Sequence, residues 1–587
     1  MANSRNPLLL LPYLCFLIPL NITLFGNGMG AAIQWALFRY KQVPGSDVSL
    51  VSFTGDLSLL IAGTLSDRCA LVTLIWFSAV CFLTGSFLLT LLGLPARNRK
   101  YTKGAAVAFI ASGLLFLFSD IVQYGLTFQG PYGSCIPVGI VFVLLAGLWA
   151  YRYNPPAEIV TGPAANLPSD KPVRIFSITL SGINRSVLKK DLIILVFVSF
   201  SVKMLVLSAA LSTLQVILTG DMTLYYWYAH SIILGKLPYI NFFAEYPQFF
   251  FIPVVLAILP HWGNPNFIGY LFSFGAMTLV FDLATLICVY ILAAKFFGQD
   301  KAFLSGLLYV TALSSAFFIP IVYDIIPTFF LVFSLCCFIY GKETTACIST
   351  TVGFLLKWFP FVCFPFFYLS ILKNRGDLRS FRTGVIASAF LVAACIVPFI
   401  VIDSEKFFRT YMFHIVRLPE GHSLVYYLDA VFAFLINLQP VSKISLLLMI
   451  LAECLLMYWY YRHLDGTALT LTYALFLSVF IFILFNKVLA TYYIVWTMPF
   501  LALLLVRSRW HILLFYAVQI IMYLETPVLL RIVYTPYKYY SVIENSLPSV
   551  SFVFYTVKFA IFFVLLYVIV RDLQKIQDSD ACTRVPE

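Results

Sequence analysis

The stretch DLIILVFVSFSVKMLVLSAALSTLQVIL, Asp191–Leu218, runs straight into TGDM, Thr219–Met222. A run this apolar and this long exceeds the roughly 20 helical residues that cross a hydrocarbon core. It ends on a carboxylate, Asp221. Tyr225, Tyr226, Trp227 and Tyr228 follow, and then a polar loop with Leu237-Pro238-Tyr239 and Glu245-Tyr246-Pro247. The pattern is a spanning helix that delivers an acid to the membrane boundary. Ionisable groups held at such depth tend to be functional. Aromatic rings there are expected as an interfacial belt.

Working outward, the whole chain has the same character. Of 587 residues, 61% are hydrophobic and 11% charged, with a mean hydropathy of +0.93. A soluble domain carries roughly 25% charged residues, so this chain is a multi-pass membrane protein. The net charge of +12 reads as cytoplasmic loops under the positive-inside rule, not as a nucleic-acid surface. The cysteines show no CxxC or Cys/His metal spacing. Most sit in apolar runs as small core residues, and Cys69 and Cys135 fall near expected outer ends, where they could pair. A cleavable signal peptide is not expected, because the first apolar run is long and no small-x-small site follows it.

Toward the N-terminus, apolar runs lie at about 8–38 (softened at Gly26-Asn27-Gly28), 71–94, 104–126 and 135–151, and each reads as a helix. Arg97, Arg99, Lys100 and Lys103 place one connecting loop in the cytoplasm. The proline-rich, basic segment 152–190 reads as a cytoplasmic linker. Its basic residues and the first cluster agree in putting Asp221 on the outer face.

Toward the C-terminus, 249–259 is too short to span. A full span follows at 267–294, then a hairpin at 302–319 and 325–340 with Pro320 and Asp324 at its outer turn. The segments 346–357 and 361–372, with Pro360 between them, read as a broken re-entrant pair or as two short spans. Lys373, Arg375, Arg379 and Arg382 return to the cytoplasm. The segment 384–402 leads out to a mixed outer loop, 403–439, with Arg409, His414, Arg417, Glu420 and His422. Further spans are expected near 442–461, 468–485, 492–506, 510–524 and 551–570, with a polar outer segment at 526–548. The expected fold is all-α and polytopic, with about 16 transmembrane helices. The domain reading is an N-terminal four-helix region (1–151), the linker (152–190), a membrane domain (191–571) and a cytoplasmic tail (572–587).

Three segments carry a resemblance. Gly220-Asp221, Tyr228-Ala229, Gly235-Lys236-Leu237-Pro238-Tyr239 and Glu245-Tyr246-Pro247 resemble the first outer loop of GT-C superfamily glycosyltransferases. Leu355-Leu356-Lys357-Trp358-Phe359-Pro360 is similar to that family's Lys-aromatic-Pro helix break. Asn486-Lys487-Val488, Thr491-Tyr492-Tyr493 and Trp496 resemble its Asn-Lys-Val…Tyr…Trp segment. The likeness is greatest to the polyprenyl-phosphate-dependent mannosyltransferases, which include the first mannosyltransferase of glycosylphosphatidylinositol synthesis and its prokaryotic relatives. It spans about 191–571 and leaves the N-terminal region outside. The family often shows a second acid beside the first. Here there is no clean Asp-x-Asp at Asp221, which leaves metal use open: a divalent metal is possible but not indicated, and no cofactor is certain.

The resemblance implies a GT-C-like helical bundle with an outer-face catalytic loop. It implies inverting transfer of a hexose, mannose by this likeness, from a polyprenyl or dolichyl phosphate to a lipid-linked or glycan acceptor. The membrane would be a cell membrane in a prokaryote or the endoplasmic reticulum in a eukaryote. A sugar hydroxyl is a weak nucleophile and needs a carboxylate base. Asp221 is the expected base, and Glu245 is a second carboxylate, an acceptor-sugar contact or a cap of the next short helix. The leaving lipid phosphate needs cations. Lys357 is expected to meet that phosphate or a structural carboxylate, or else to snorkel. Lys487 has the same readings, and Arg417 suits a phosphate. His414, Tyr246 and Asn486 complete the expected substrate-binding set. Asp282 is expected to pair within the bundle, and Asp120 has no assigned role. The competing function is a transporter or lipid flippase, which predicts charges paired near the middle of helices and internal repeats. No such repeat is visible.

Overall fold

A computed structural model describes residues 15–25, 30–42, 49–93, 99–152, 173–213, 220–436, 441–525 and 550–583, less short gaps inside those spans. The segment 526–548, most of the 152–190 linker and the Gly26-Asn27-Gly28 soft spot lie outside the described residues. The chain divides into two compact units. One is Met1–Pro168 with Met204–Gln215, and the other is Ser169–Lys203 with Val216–Glu587.

In the first unit, strands stand in the described part of the expected opening helix from Asn21 onward. β1 (Asn21–Phe25), β2 (Ala31–Gln34), β3 (Phe38–Gln42) and β4 (Ser49–Ser52) join β5 (Gln129–Gly130) and β6 (Gly133–Ile136) in a six-stranded sheet. The order is β4-β3-β2-β1-β6-β5, with Ile22 opposite Ile33 and Thr23 opposite Cys135 in antiparallel register. The cause is local. The glycine-asparagine stretch splits the apolar run into pieces too short to span, and Asn-Ile-Thr-Leu-Phe is β-branched and aromatic. Three helices follow the expected positions: α1 (Asp67–Gly93), α2 (Arg99–Tyr124) and α3 (Val138–Arg152). Their core centres on Trp76, Phe109 and Phe116. The Trp76 indole N–H donates to the Ala36 carbonyl at 3.1 Å, tying α1 to the sheet region. Cys69 and Cys135 are both free thiols, so the proposed pairing does not form. Cys135 is buried in β6, within the sheet. Asp120, which had no expected role, accepts a 2.9 Å hydrogen bond from the Asn21 side chain.

After a small hairpin of β7 (Val173–Ile175) and β8 (Ile178–Leu180) comes α4 (Arg185–Thr213). The second unit continues with α5 (Gly220–Ile233), α6 (Phe251–Ile258), α7 (Phe267–Phe297), α8 (Gln299–Val310), α9 (Leu313–Phe318) and α10 (Ile325–Ile339). Next are α11 (Glu343–Leu356), α12 (Cys363–Lys373), α13 (Arg379–Val416), α14 (Leu424–Ile436), α15 (Val441–His463) and α16 (Ala468–Phe485). The last are α17 (Ile494–Leu504), α18 (Arg509–Tyr523) and α19 (Val550–Thr583). Among the described residues, seven helices are long and apolar enough to cross a membrane unaided. Several others, such as Ile325–Ile339 and Phe359–Lys373, are apolar but shorter. The protein is a helical, polytopic integral-membrane protein with many broken helices.

Two breaks position the site. α11 stops at Leu356, Lys357 is extended, and a 3₁₀ turn at Phe359–Val362 leads into α12. Pro360 accounts for the break, because it has no N–H to give to the Leu356 carbonyl four residues back and its ring would clash with that carbonyl in a continuous helix. α13 is two helices that meet at a kink at Asp403, and the second occupies the start of the region expected as an outer loop. Here the correction has a clear reason. The Asp403 carboxylate accepts from the Lys406 N–H at 3.0 Å, as an N-cap does, and Arg409 pairs with Glu405 one turn away at 3.2 Å. The polar residues restart a helix instead of ending one.

Helix contacts are close where glycine permits. A Cβ on Gly384 of α13 would fall 2.7 Å from the Cys347 Cβ of α11. Asp282 of α7 does pair in the bundle. It forms an ion pair with Lys203 of α4, both fully buried, and also accepts from the Tyr309 hydroxyl of α8 at 2.8 Å and from Ser199 at 3.2 Å. On α4, Asp191 accepts from the Tyr290 hydroxyl at 2.6 Å.

Candidate active site

α5 begins at Gly220, so Asp221 lies in its first turn, where the helix dipole favours a carboxylate. The same helix buries Tyr225 and Tyr228. These pack edge-on against Tyr246 and Phe250 and so hold the following loop against α5. That loop turns at Gly235 (φ 84°) and Tyr239 (φ 66°). A left-handed bulky residue is strained and needs outside support. The Tyr239 hydroxyl supplies part of it by donating to the Tyr246 carbonyl at 2.5 Å. α13 supplies the rest, with Thr410 donating to the Ala244 carbonyl at 2.5 Å and His414 Nε2 donating to the Glu245 carbonyl at 2.9 Å. Glu245 is thereby fixed beside Asp221 in one cavity.

The cavity holds about 590 Å³. Asp221, Glu245, Tyr246, Lys357, His414, Arg417, Asn486 and Lys487 all line it, brought from α5, the loop after it, the α11–α12 break, α13 and the turn after α16. Tyr492 donates to Asp221 Oδ2 at 2.7 Å. Arg417 lies 3.6 Å from Glu245 Oε2 and also pairs with Glu420. Burial pushes the Glu245 carboxyl above its ordinary range. The Arg417 guanidinium opposes that shift, and the Asp221 charge adds to it. Asn486 accepts from the Val488 N–H at 3.0 Å and so shapes its own turn. Lys487 donates to the Ile415 carbonyl at 3.1 Å. Apolar side chains line it as well, with Leu446 and Met449 of α15 and Phe482 and Phe485 of α16.

Lys357 has a partner that its sequence position left open. Its ammonium donates to Asp324 Oδ1 at 2.6 Å, and the Trp496 indole donates to the same oxygen at 2.6 Å. Around it stand the rings of Tyr493, Tyr323 and Trp496, with centroids at 4.4, 4.8 and 4.9 Å. Tyr493 and Phe359 stack on Trp496 at 4.0 and 4.3 Å. The buried carboxylate of Asp324 and the aromatic faces together hold the cation in a low-dielectric site. Lys357 does not snorkel away; its side chain is 15% exposed.

No protein-family model matches this chain, and no curated protein does. Among solved structures, ArnT from Cupriavidus metallidurans bound to undecaprenyl phosphate is similar over 62% of this chain and 76% of that one, at 15% identity and a TM-score of 0.38. The same enzyme in the apo state is similar over 51% and 58%, at 14% identity and a TM-score of 0.34. A likeness this low decides nothing about the chemistry.

The site also contains groups that sequence reasoning did not single out. Asp324 was legible only as the acid at a hairpin turn. The signal that would have found it is Lys357, since a cation in an apolar run needs a carboxylate. Tyr492 was part of a motif but had no role, and here it orients Asp221. Glu420 and His422 were placed in the mixed outer loop without a role, and both line the cavity. His422 is buried. His414, expected to meet substrate, spends its Nε2 proton on the Glu245 backbone.

Proposed function

We infer that the chain is an integral-membrane glycosyltransferase that moves a hexose, mannose in our reading, from a polyprenyl phosphate to a lipid-linked or glycan acceptor on the outer or lumenal face. The observation that carries this reading is the meeting of Asp221, Glu245, Arg417 and Lys487 in one cavity with an apolar wall on α15 and α16. Such a cavity suits a ligand that is sugar and phosphate at one end and hydrocarbon at the other.

In this reading Asp221 accepts the proton of the acceptor hydroxyl as the oxygen attacks the anomeric carbon. The Tyr492 hydrogen bond fixes the direction of its Oδ2. The bond from that carbon to the phosphate oxygen breaks in the same displacement, with inversion and no covalent intermediate on the protein. Arg417 and Lys487 meet the charge that collects on the leaving phosphate. Among the described residues Lys487 has no carboxylate within 4.0 Å, so its charge is available to an anion. Lys357, already matched by Asp324, holds the surrounding part of the cavity lining in place. Glu245 steers Arg417 and faces the acceptor.

The test is transfer by purified protein in lipid from polyprenyl-phosphate mannose labelled in the sugar, with an acceptor extract supplied. Wild type should transfer, and Asp221→Asn should lose nearly all turnover while expressing normally. Near-normal turnover in the variant would end the assignment of Asp221. Absence of transfer from any polyprenyl-phosphate sugar would favour a transporter.

A further inference from the structure

Two tryptophans line the cavity, and the fold uses them differently. Trp496 is buried. Tyr493 and Phe359 stack on it, and its N–H is spent on Asp324. Trp358 is half-buried. Its parallel stack among the described residues is with Tyr411 of α13, at 5.6 Å and 10°. Its edge-on contact is with His414, one turn along the same helix, at 4.7 Å. Both contacts come from α13, so that helix packs on one side of the indole. No hydrogen bond from the indole N–H is present among the described residues. An aromatic face and a donor are thus left over in a side chain that lines the cavity.

The neighbouring groups supply what a sugar needs besides a platform. His414 also donates to the Glu245 carbonyl, so the indole stands beside the segment that carries Glu245. That carboxylate is 20% exposed and is steered by Arg417 at 3.6 Å. A carboxylate accepts hydrogen bonds and an indole N–H donates them. A pyranose has a face of C–H bonds and a rim of hydroxyls. The face gains by leaving water for an aromatic plane, and the rim takes the hydrogen bonds that fix orientation. The side chains suited to hydrocarbon, Leu446, Met449, Phe482 and Phe485, come from α15 and α16, and not from the Lys357 break or α13.

We propose that Trp358 is the platform of an acceptor subsite, and that the acceptor is a pyranose of a glycan or glycolipid. This rests on the transfer reading above and narrows it. The acceptor ring lies with its C–H face on the indole, and Glu245 accepts from a hydroxyl at its rim. Another hydroxyl of the same ring is presented to Asp221. Its proton passes to that carboxylate as its oxygen bonds to the anomeric carbon, and the electron pair of the broken bond leaves with the phosphate oxygen. A serine or threonine hydroxyl of a protein, or a simple lipid alcohol, has no disc of C–H bonds to lay on an indole. Tyr411 and His414 are positioning residues, because they act through the Trp358 ring.

The experiment gives full-length protein in lipid vesicles polyprenyl-phosphate mannose labelled in the sugar and a heat-treated detergent extract of membranes, which offers glycans, lipids and proteins alike. Partial acid hydrolysis of the wild-type product should release the label in a disaccharide. Trp358→Leu should raise the amount of extract needed for half-maximal rate roughly tenfold, with the donor KM little changed, whereas Trp358→Phe, which keeps a flat ring, should stay within about threefold of wild type. Label released only as free mannose overturns the proposal without recourse to any variant, so misfolding of Trp358→Leu does not protect it. An unchanged demand for extract in Trp358→Leu overturns it as well, and a raised donor KM in that variant would assign the indole to the donor instead. In each of these cases the transfer reading stands. If wild type transfers nothing from any polyprenyl-phosphate sugar, the transfer reading fails, and the role of Trp358 fails with it.

Discussion

At the residue scale, the decisive fact is what each charged group is already doing. Lys357 and Asp324 complete each other inside an aromatic enclosure. Removing one should cost about 3–5 kcal/mol, because the other is left buried and unpaired. Thermal unfolding in detergent should therefore show Lys357→Met and Asp324→Asn each melting well below wild type. The double variant should lie closer to wild type than the sum of the two losses. Strict additivity would mean that the pair does not interact. Glu245 allows a prediction with a sign. Its carboxyl is raised above the ordinary range, chiefly by burial. The folded state thus holds that proton more tightly than the unfolded chain does, and the stability this confers at low pH is lost as pH rises through the raised value. Glu245→Gln should slow transfer at every pH, yet its relative stability should improve from acid to neutral pH. A relative stability that worsens over that range would contradict the burial effect. The acids and cations of the site were visible in sequence because ionisable groups stand out against apolar runs. Their partners were not, since Asp324 and Lys357 are 33 positions apart and only folding brings them together.

At the scale of elements, the breaks mattered more than the helices. The Lys-aromatic-Pro break was legible because proline imposes it locally. The continuation of α13 past Asp403 was not, because polar residues that look like a loop in composition act there as a cap and a helical ion pair. The opening sheet was missed for a related reason. Apolar content was weighed above the glycine interruption and the β-branched pattern of Asn21–Phe25. Packing supplies a further test. Gly384 lets α13 approach α11 with no room for a Cβ. Gly384→Leu should destabilise by about 1–3 kcal/mol, as overpacking does. It should also impair transfer, because both helices carry cavity residues at or just beyond their ends. Denaturation and turnover measured on the same preparation would check this. Full activity at unchanged stability would show that the two helices can part without cost.

For the molecule as a whole, the basic loops and the cavity lie on opposite sides of the membrane in our reading. The helical, many-pass character was plain from composition alone. The number of crossings was harder to read, because short apolar helices arranged around breaks resemble full spans in a hydropathy reading. Orientation can be measured directly. Lys236, in the loop after Asp221, and Arg379, at the start of α13, are both exposed. With a membrane-impermeant thiol reagent on intact cells or sealed vesicles, Lys236→Cys and Arg379→Cys should label from opposite faces. Arg379→Cys should react only after permeabilisation. Labelling from the same face would overturn the assignment of the cavity to the outer side.

The stack around Trp496 has an optical consequence. This indole lies against Tyr493 and Phe359 with an ammonium held 4.9 Å from its ring. Tight, asymmetric ring stacks couple their electronic transitions, and a nearby charge shifts an indole's emission. Trp496 should thus dominate the near-ultraviolet dichroism among the 9 tryptophans and lose that signal in Asp324→Asn. Occupancy of the cavity could then be followed by light, without a labelled sugar.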